Sequence, residues 1–137
     1  MSPGQPNEFI CGRFSISRDS ASQLDAIDYA AVAIRRRANY QLLLDYLSPW
    51  AVAKPLPPDV VPLGFPIRVP HRDALLKRLY AAQIFAPVHW PLGNTVPREH
   101  EASWRLSESL LTVPCDQRIA PDRMAEVGEI VRKELQR

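Results

Sequence analysis

Lysine and glycine are scarce in this sequence. Lys54, Lys77 and Lys133 are the only lysines in 137 residues, and five glycines stand against fourteen prolines. The prolines cluster at 49–70 and 87–97, which indicates rigid connectors between elements rather than one disordered tract. No glycine-rich phosphate loop and no HExxH or GxSxG motif is present, so the sequence gives no motif evidence for a P-loop enzyme, a zinc peptidase or a serine hydrolase.

Long apolar runs and a strong net charge are also missing. No stretch approaches the roughly 20 apolar residues of a membrane span, and the first residues lack the apolar core of a secretion signal. A formal net charge of +2 is too small to indicate nucleic acid or an anionic membrane as a partner. We therefore expect no nucleic-acid partner, no membrane partner and a cytoplasmic location.

The cysteines and histidines form no recognisable metal motif. Cys11 and Cys115 lie far apart, without a CxxC pair or a histidine at ligand spacing, which favours free thiols in a reducing compartment. His71, His89 and His100 are too scattered to be read as a set of ligands. We expect no metal site.

The apolar pattern predicts one α+β domain that begins with a long helix. The chain is long enough for one core; residues 1–20 are expected as a loose tail, with a candidate short strand at 9–14, and residues 21–137 as the domain. Ser20 and Gln23 have the spacing of a capping box, and the helix is predicted over 21–47. Its apolar residues recur every three to four positions: Leu24, Ile27, Ala31, Ile34, Ala38, Leu42, Leu43, Tyr46 and Leu47.

The rest of the domain is predicted as a small, mostly antiparallel sheet covered by helices. Strands are expected at 60–69, 84–88 and 110–114, with further candidates for a strand at 50–53 and a helical turn at 102–107. Helices are expected at 71–83 and 121–136, because Pro70 and Pro121 fit first-turn positions. Their apolar stripes need a common sheet surface, so both helices are expected on one face of the sheet, with the long helix alongside.

Three adjacent arginines, Arg35 to Arg37, lie in the predicted long helix. Adjacent residues fan across most of the helix circumference, so they do not form one flat basic patch. We favour solvated side chains with a salt bridge or two, and a contact with a partner domain stays open. His89 beside Trp90 follows a predicted strand, where loops commonly carry function, although a lone histidine in such a loop is more often a structural hydrogen-bonding residue.

Four stretches of the sequence carry a resemblance to a known family. They read IRRRANYQLLLDYL, PLGFPIRVPHRDALLKRLYAAQI, PVHWPL and LLTVPCDQRIAPDRMAEVGEIV, and the ordered set covers residues 17–135. In this order they resemble the C-terminal part of the DegT/DnrJ/StrS family of pyridoxal-phosphate-dependent sugar aminotransferases of fold type I. The first resembles the helix that leads into the small domain, the second its opening strand and helix, the third a His-aromatic-Pro element, and the last the closing strand and helix.

The resemblance implies a role in sugar biosynthesis at a cleft between two domains. His89, Trp90 and Arg118 are then expected to help close over a nucleotide-sugar substrate at the domain boundary. Family members hold pyridoxal phosphate on a lysine of the large domain, and none of the three lysines here matches that context. The family's cofactor-stacking aromatic and its pyridine-binding acid have no counterpart either. Because a Schiff base needs an amine beside the cofactor, this chain alone is expected to bind no cofactor and not to transaminate.

Two accounts of the chain remain open. In the first it is the small domain of a sugar aminotransferase, as a fragment or as a truncated or split gene product. In the second it is a free-standing, non-catalytic interaction or dimerisation module that kept the fold and lost the chemistry, since fold does not establish function. The coding sequence upstream of Met1 distinguishes them, because a large-domain reading frame there supports the first.

Self-association is a further expectation. In a complete enzyme the large domain would cover one side of the long helix. In its absence we expect apolar residues such as Ile27, Val32 and Leu43 to face water and to favour a homodimer through this helix.

Overall fold

Two strands, β1 (Gly64–Arg68) and β2 (Leu110–Pro114), form an antiparallel ribbon in the computed structural model, which describes residues 15–89, 91–93 and 96–137. Burial alternates along both strands, as the two-residue period of a strand requires. One face of the ribbon is therefore fully buried and the other is half-buried or exposed. The buried face consists of Phe65, Ile67, Leu111 and Val113.

The described residues contain five α-helices in addition to this ribbon, which makes the fold α+β as predicted. Three of these helices contribute apolar side chains to the same buried cluster as the ribbon. The longest helix precedes the ribbon in the sequence, also as predicted. The helices are α1 (Arg18–Asp25), α2 (Tyr29–Leu47), α3 (Arg72–Ala81), α4 (Glu101–Ser109) and α5 (Pro121–Leu135).

The prediction of one continuous helix over 21–47 is wrong in one respect, because the helix is interrupted between Asp25, where α1 ends, and Tyr29, where α2 begins. The Asp28 side chain accepts a hydrogen bond from the backbone N–H of Ala31 at 2.9 Å and so caps the start of α2. An aspartate offers this local bond in competition with helix continuation. The expected capping box at Ser20 is also wrong, since Ser17 caps α1 by accepting from the backbone N–H of Ser20. Residues 18–20 are helical, and the candidate strand at 9–14 lies outside the described residues.

The third strand, predicted at 84–88, is absent from the described sheet. This segment runs beside β2, and the Pro87 carbonyl accepts a hydrogen bond from the backbone N–H of Thr112 at 3.2 Å. Because Pro87 has no N–H to return, a two-way ladder does not form. The predicted first strand is shortened as well, since only Gly64–Arg68 of residues 60–69 pairs.

The shorter helices agree well with the sequence. The helices predicted at 71–83 and 121–136 are confirmed as α3 and α5, and Pro121 occupies the first turn of α5. The residue before α3, His71, adopts a left-handed conformation with φ of 55°. The helical turn predicted at 102–107 is a full helix, α4, whereas the strand expected at 50–53 is reduced to one bridge between Ala51 and Ile67.

Helix α2 packs most extensively against α5. A Cβ atom at Gly128 of α5 would lie only 2.8 Å from the Tyr46 ring, so glycine permits the close approach of the two helices. Tyr40, which precedes Tyr46 in α2, packs against Phe65 with the two rings tilted and their centroids 4.7 Å apart. Its hydroxyl donates a hydrogen bond to the Ala53 carbonyl. The core therefore joins α2 both to α5 and to the ribbon.

Candidate functional site

A cleft of about 360 Å³ opens where the segment after α3 passes β2 and the loop that follows it. Two of the three residues singled out from the sequence, His89 and Arg118, line this cleft together. Trp90, the third, lies outside the described residues. Phe85, which is largely exposed, separates this cleft from a neighbouring one of about 370 Å³, and Arg118 lines both.

Arg118 is oriented by Asp116, two residues before it. The carboxylate accepts from the backbone N–H of Arg118 at 2.8 Å, from Nε at 3.2 Å and from Nη2 at 2.9 Å. These hydrogen bonds hold the pKa of Asp116 below its usual range, against the opposing effect of partial burial. The Arg118 side chain is 82% exposed, so the remaining N–H groups of its guanidinium face solvent and suit a phosphate or carboxylate ligand.

The loop that carries this pair is held by a buried asparagine of α2. The Asn39 amide nitrogen donates to the carbonyl of Asp116 at 2.9 Å and to that of Ile119 at 3.0 Å. Asn39 is fully buried, and its Oδ1 atom has no hydrogen-bond partner among the described residues. The two donated bonds fix both ends of the loop against α2, which sets the position of Arg118.

Arg36 ties the two sides of the cleft together. Its Nη1 donates to the carbonyls of Pro62 and Leu63 at 2.9 and 3.2 Å, and its Nε donates to Gln117 Oε1 at 2.8 Å. Arg37 donates in the same way to the Pro57 carbonyl at 2.8 Å. The preferred interpretation as solvated side chains is therefore wrong for Arg36 and Arg37, because each anchors the proline-rich segment 49–70 to α2.

Asp116 and Asn39 were not singled out from the sequence, and Arg36 was noted only as one of three adjacent arginines. Their roles depend on contacts between α2 and segments far along the chain, which periodicity does not reveal. The only local signal is the acidic residue two positions before Arg118, a spacing at which an aspartate commonly bonds to the following backbone N–H.

The cysteine at the base of the cleft is not a reactive group. Burial raises the pKa of the Cys115 thiol to about 11, although the nearby Arg36 guanidinium acts in the opposite direction. At neutral pH the side chain is therefore a neutral thiol, which is a poor nucleophile and a poor metal ligand. Among the described residues no group of three histidine, cysteine or acidic side chains is arranged to hold a metal ion.

The lysines do not fit a pyridoxal phosphate site. Lys54, Lys77 and Lys133 are all exposed, and none of them lines either cleft. Lys133 pairs with Glu129 on the surface of α5 at 2.9 Å. An internal Schiff base requires an amine at the cofactor inside a cleft, and the three lysines lie outside both clefts.

Comparison with solved structures shows where this fold occurs. A Streptococcus pneumoniae protein described as a sugar aminotransferase in its PMP form superposes on 85% of this chain with a TM-score of 0.72 and 15% identity. A DegT DnrJ EryC1 StrS aminotransferase from Brucella abortus superposes on 85% of this chain with a TM-score of 0.66 and 16% identity. The sugar aminotransferase CalS13 from Micromonospora echinospora superposes on 82% of this chain with a TM-score of 0.63 and 19% identity.

The match covers 33%, 34% and 33% of those three chains, so this chain spans about a third of the length of each. At these identities the comparison shows a shared fold, as the sequence resemblance predicted. No protein-family model and no curated protein sequence matches the chain. In the described part of the chain, no helix has both the length and the apolar character that a membrane crossing requires.

Proposed function

We propose that this chain is the C-terminal part of a DegT-like, pyridoxal-phosphate-dependent nucleotide-sugar aminotransferase. The observation that carries the proposal is the shared fold over more than four fifths of this chain with three aminotransferases, two of which are described as sugar aminotransferases. In this account the chain supplies one wall of a substrate cleft and contributes to domain closure. Because its lysines lie outside the clefts, another stretch of polypeptide supplies the cofactor lysine, and this chain alone does not transaminate. The two cysteines lie far apart in the sequence without a CxxC pair, which suits a cytoplasmic location.

Substrate binding is assigned to His89, Trp90 and Arg118. Arg118 offers exposed guanidinium N–H groups that match the geometry of a phosphate, and Asp116 holds them toward the clefts. Phe85 provides an exposed aromatic surface between the two clefts on which a ring of the ligand can lie. A nucleotide sugar carries both a charged diphosphate and rings, so it suits this combination.

The test is a titration of the chain with UDP and with dTDP, followed by two-dimensional NMR. We expect weak, saturable shifts at His89, Phe85 and Arg118, and we expect Arg118→Ala to abolish them. Arg105→Ala is the matched control, because Arg105 is exposed on α4 and lines neither cleft. Saturable shifts that survive Arg118→Ala, or no shifts at millimolar nucleotide, would contradict the assignment.

The cofactor part of the proposal has its own test. Pyridoxal phosphate is added at low concentration, reduced with borohydride and mapped by peptide mass spectrometry. We expect scattered, substoichiometric labelling of the three exposed lysines. Stoichiometric labelling of a single lysine would show that the chain forms a cofactor site by itself.

A second candidate function is a free-standing, non-catalytic interaction or dimerisation module. The observation that favours it is the row of exposed apolar residues Ala31, Ile34 and Ala38 on one face of α2. We also propose a homodimer as the state of the isolated chain. Nucleotide binding at the cleft supports the aminotransferase account, whereas self-association without nucleotide binding supports the module.

A further inference from the structure

A further cavity lies at the opposite end of the ribbon from the candidate site. The cleft of the candidate site meets β1 at Gly64, where the strand begins. The further cavity, of about 360 Å³, lies beyond the other end of β1, where Val69 and Pro70 lead into α3. Five residues of extended strand separate the two ends by roughly 16 Å. The cavity shares no described lining residue with either cleft, so it is a separate site.

The wall of this cavity is mostly apolar. Six of the nine described residues that line it are apolar, and two of these, Val69 and Leu75, are buried. Trp50, the last residue of a short 3₁₀-helix after α2, is half-buried and supplies an aromatic surface. Ligand pockets combine such walls with a few convergent polar groups, and their volumes begin at roughly 300 Å³. The cavity therefore suits a compact ligand with a single ring.

The other three described lining residues are basic: His71, Arg78 and Arg137. The two arginines share one carboxylate of α5, because Glu134 Oε2 accepts from Arg78 Nε at 3.0 Å and Glu134 Oε1 pairs with Arg137 Nη1 at 2.8 Å. Arg78 Nη2 also donates to the Glu134 carbonyl at 2.8 Å. Glu134 thus holds two guanidinium groups close together, and both keep N–H groups that these contacts do not use.

The charges at the cavity favour a singly charged anion. Glu134 offsets one of the two guanidinium charges, and no acidic side chain is among the described residues that line the cavity. A second negative charge on the ligand would lie against the apolar wall without a partner, which is costly. A carboxylate carries one charge, and its two coplanar oxygens match guanidinium N–H groups. The combination fits a small aromatic carboxylate.

The backbone at His71 is a second, independent feature of this site. Its φ of 55° is uncommon for a residue other than glycine. Gln83 also has a positive φ, but it follows α3 in a helix-ending motif in which the backbone N–H of Ile84 donates to the Leu79 carbonyl at 2.8 Å. His71 precedes α3, and its side chain makes no capping bond to the helix. Strained residues of this kind concentrate at ligand sites.

We propose that the cavity at the turn from β1 into α3 binds a small aromatic carboxylate. The carboxylate bonds to the guanidinium groups of Arg78 and Arg137, the ring lies against Trp50, and His71 contacts the ligand from the turn. With about ten heavy atoms in the ligand, we expect a dissociation constant on the order of 1 millimolar. The proposal goes beyond the aminotransferase assignment and uses none of its cleft residues, so either one can fail without the other.

A titration of the chain with phenylacetate, followed by two-dimensional NMR, tests the proposal. We expect saturable shifts at the indole N–H of Trp50 and at the amides of residues 71–75. Phenylacetamide, which has the same shape without the charge, should bind at least fivefold more weakly. No saturable shift up to 20 millimolar phenylacetate, or equal binding of the two compounds, overturns the proposal.

The arginine contact has its own variant. Arg137→Gln should weaken phenylacetate binding at least fivefold, and the fold should stay intact because this side chain is 69% exposed. Lys77→Gln is the matched control, since it removes an exposed positive charge of α3 that does not line the cavity, and it should bind like the unchanged chain. Equal effects of the two variants would indicate only a general charge effect and would overturn the proposal.

A glycine variant separates ligand contact from backbone structure at His71. Glycine adopts the left-handed conformation freely, so His71→Gly should be at least as stable as the unchanged chain in urea denaturation. Its phenylacetate binding should nevertheless weaken about threefold. Ala74→Phe, at an exposed position of α3 that lines the cavity, should fill the space and abolish binding while circular dichroism shows an intact fold. Unchanged binding in both variants would contradict the proposed site.

Discussion

The two halves of α2 belong to one helix but differ in what covers them. Residues 39–47 contain all four of its buried side chains, whereas residues 29–38 contain none. The apolar side chains of the two halves also lie on different faces: Leu43 is five residues after Ala38, which is about 140° around the helix. The comparison teaches that an apolar stripe predicts a helix and its apolar face. The stripe does not predict whether the surface that covers this face belongs to the same chain.

The largest expected effect separates the two halves by truncation. Leu43→Ala in the inner half should lower the free energy of unfolding by about 2–5 kcal/mol, because it leaves a cavity among fully buried side chains. Ile34→Ala in the outer half should change it by less than about 0.5 kcal/mol at concentrations where the chain is monomeric. Urea denaturation at low protein concentration measures both. Equal losses would mean that the outer half of α2 is also packed within one chain.

The contact of the inner half with α5 gives the next effect. Gly128→Ala should cost about 1–3 kcal/mol, because the new methyl group meets the Tyr46 ring, and the gain in helix propensity of about 1 kcal/mol offsets only part of it. Glu129→Ala, on the exposed side of the same helix, is the control and should be nearly neutral. Thermal denaturation compares the two variants. A stabilised Gly128→Ala chain would show that the two helices are not in close contact.

Two neighbouring arginines at the junction of the halves sharpen the comparison. Arg36→Ala removes three hydrogen bonds to Pro62, Leu63 and Gln117 and should cost about 1–3 kcal/mol. Arg35→Ala should cost less than about 0.5 kcal/mol in the monomer, since this side chain has no such partner within the described residues. Chemical denaturation of both variants is the measurement. The reverse order of the two effects would contradict the anchoring role of Arg36.

The smallest expected effect concerns the loop that Asn39 holds. Arg118 lowers the pKa of Asp116 in the folded chain, so the ionised carboxylate contributes stability above its unfolded pKa, and this contribution is lost as the pH falls through the lower folded pKa. Because Arg118 is largely exposed, Asp116→Asn should cost less than about 1 kcal/mol near neutral pH and nothing in strong acid. Unfolding curves at several pH values check this. A loss of equal size at acid and neutral pH would assign the effect to packing instead of charge.

Much of the fold was predictable from the sequence, because it depends on local patterns. The fold class, the antiparallel pairing, α3 and α5 follow from apolar periodicity and, for α5, from the proline in its first turn. The first-turn position predicted for Pro70 is wrong, because Pro70 lies two residues before α3 begins. The break at Asp28 and the missing third strand at Pro87 could not be resolved by periodicity, because each depends on a single hydrogen bond gained or lost. The sequence resemblance pointed to His89 and Arg118, and the structure brings both to one cleft.

The rest of the candidate site could not be predicted because it depends on long-range contacts. Asn39 reads as one polar residue in a helix, and nothing local indicates that its amide holds the loop before α5. The expectation that Leu43 faces water was wrong for the same reason, since Leu43 is fully buried. Val32, expected to be exposed as well, is half-buried, and the exposure expected for Ile27 is confirmed. All three residues belong to the apolar pattern of the predicted helix, and this pattern does not show whether another part of the chain covers them.

Hydrogen exchange along α1 and α2, followed over a range of protein concentrations, tests the difference between the two halves most directly. Amides of residues 40–47 should exchange slowly at every concentration, because the core of one chain protects them. Amides of residues 18–38 should exchange faster in dilute solution and gain protection as the concentration rises, and Ile34→Glu should remove that gain. Uniform, concentration-independent protection from residue 18 to residue 47 would contradict the account, because it would place the surface that covers the outer half of α2 within the single chain.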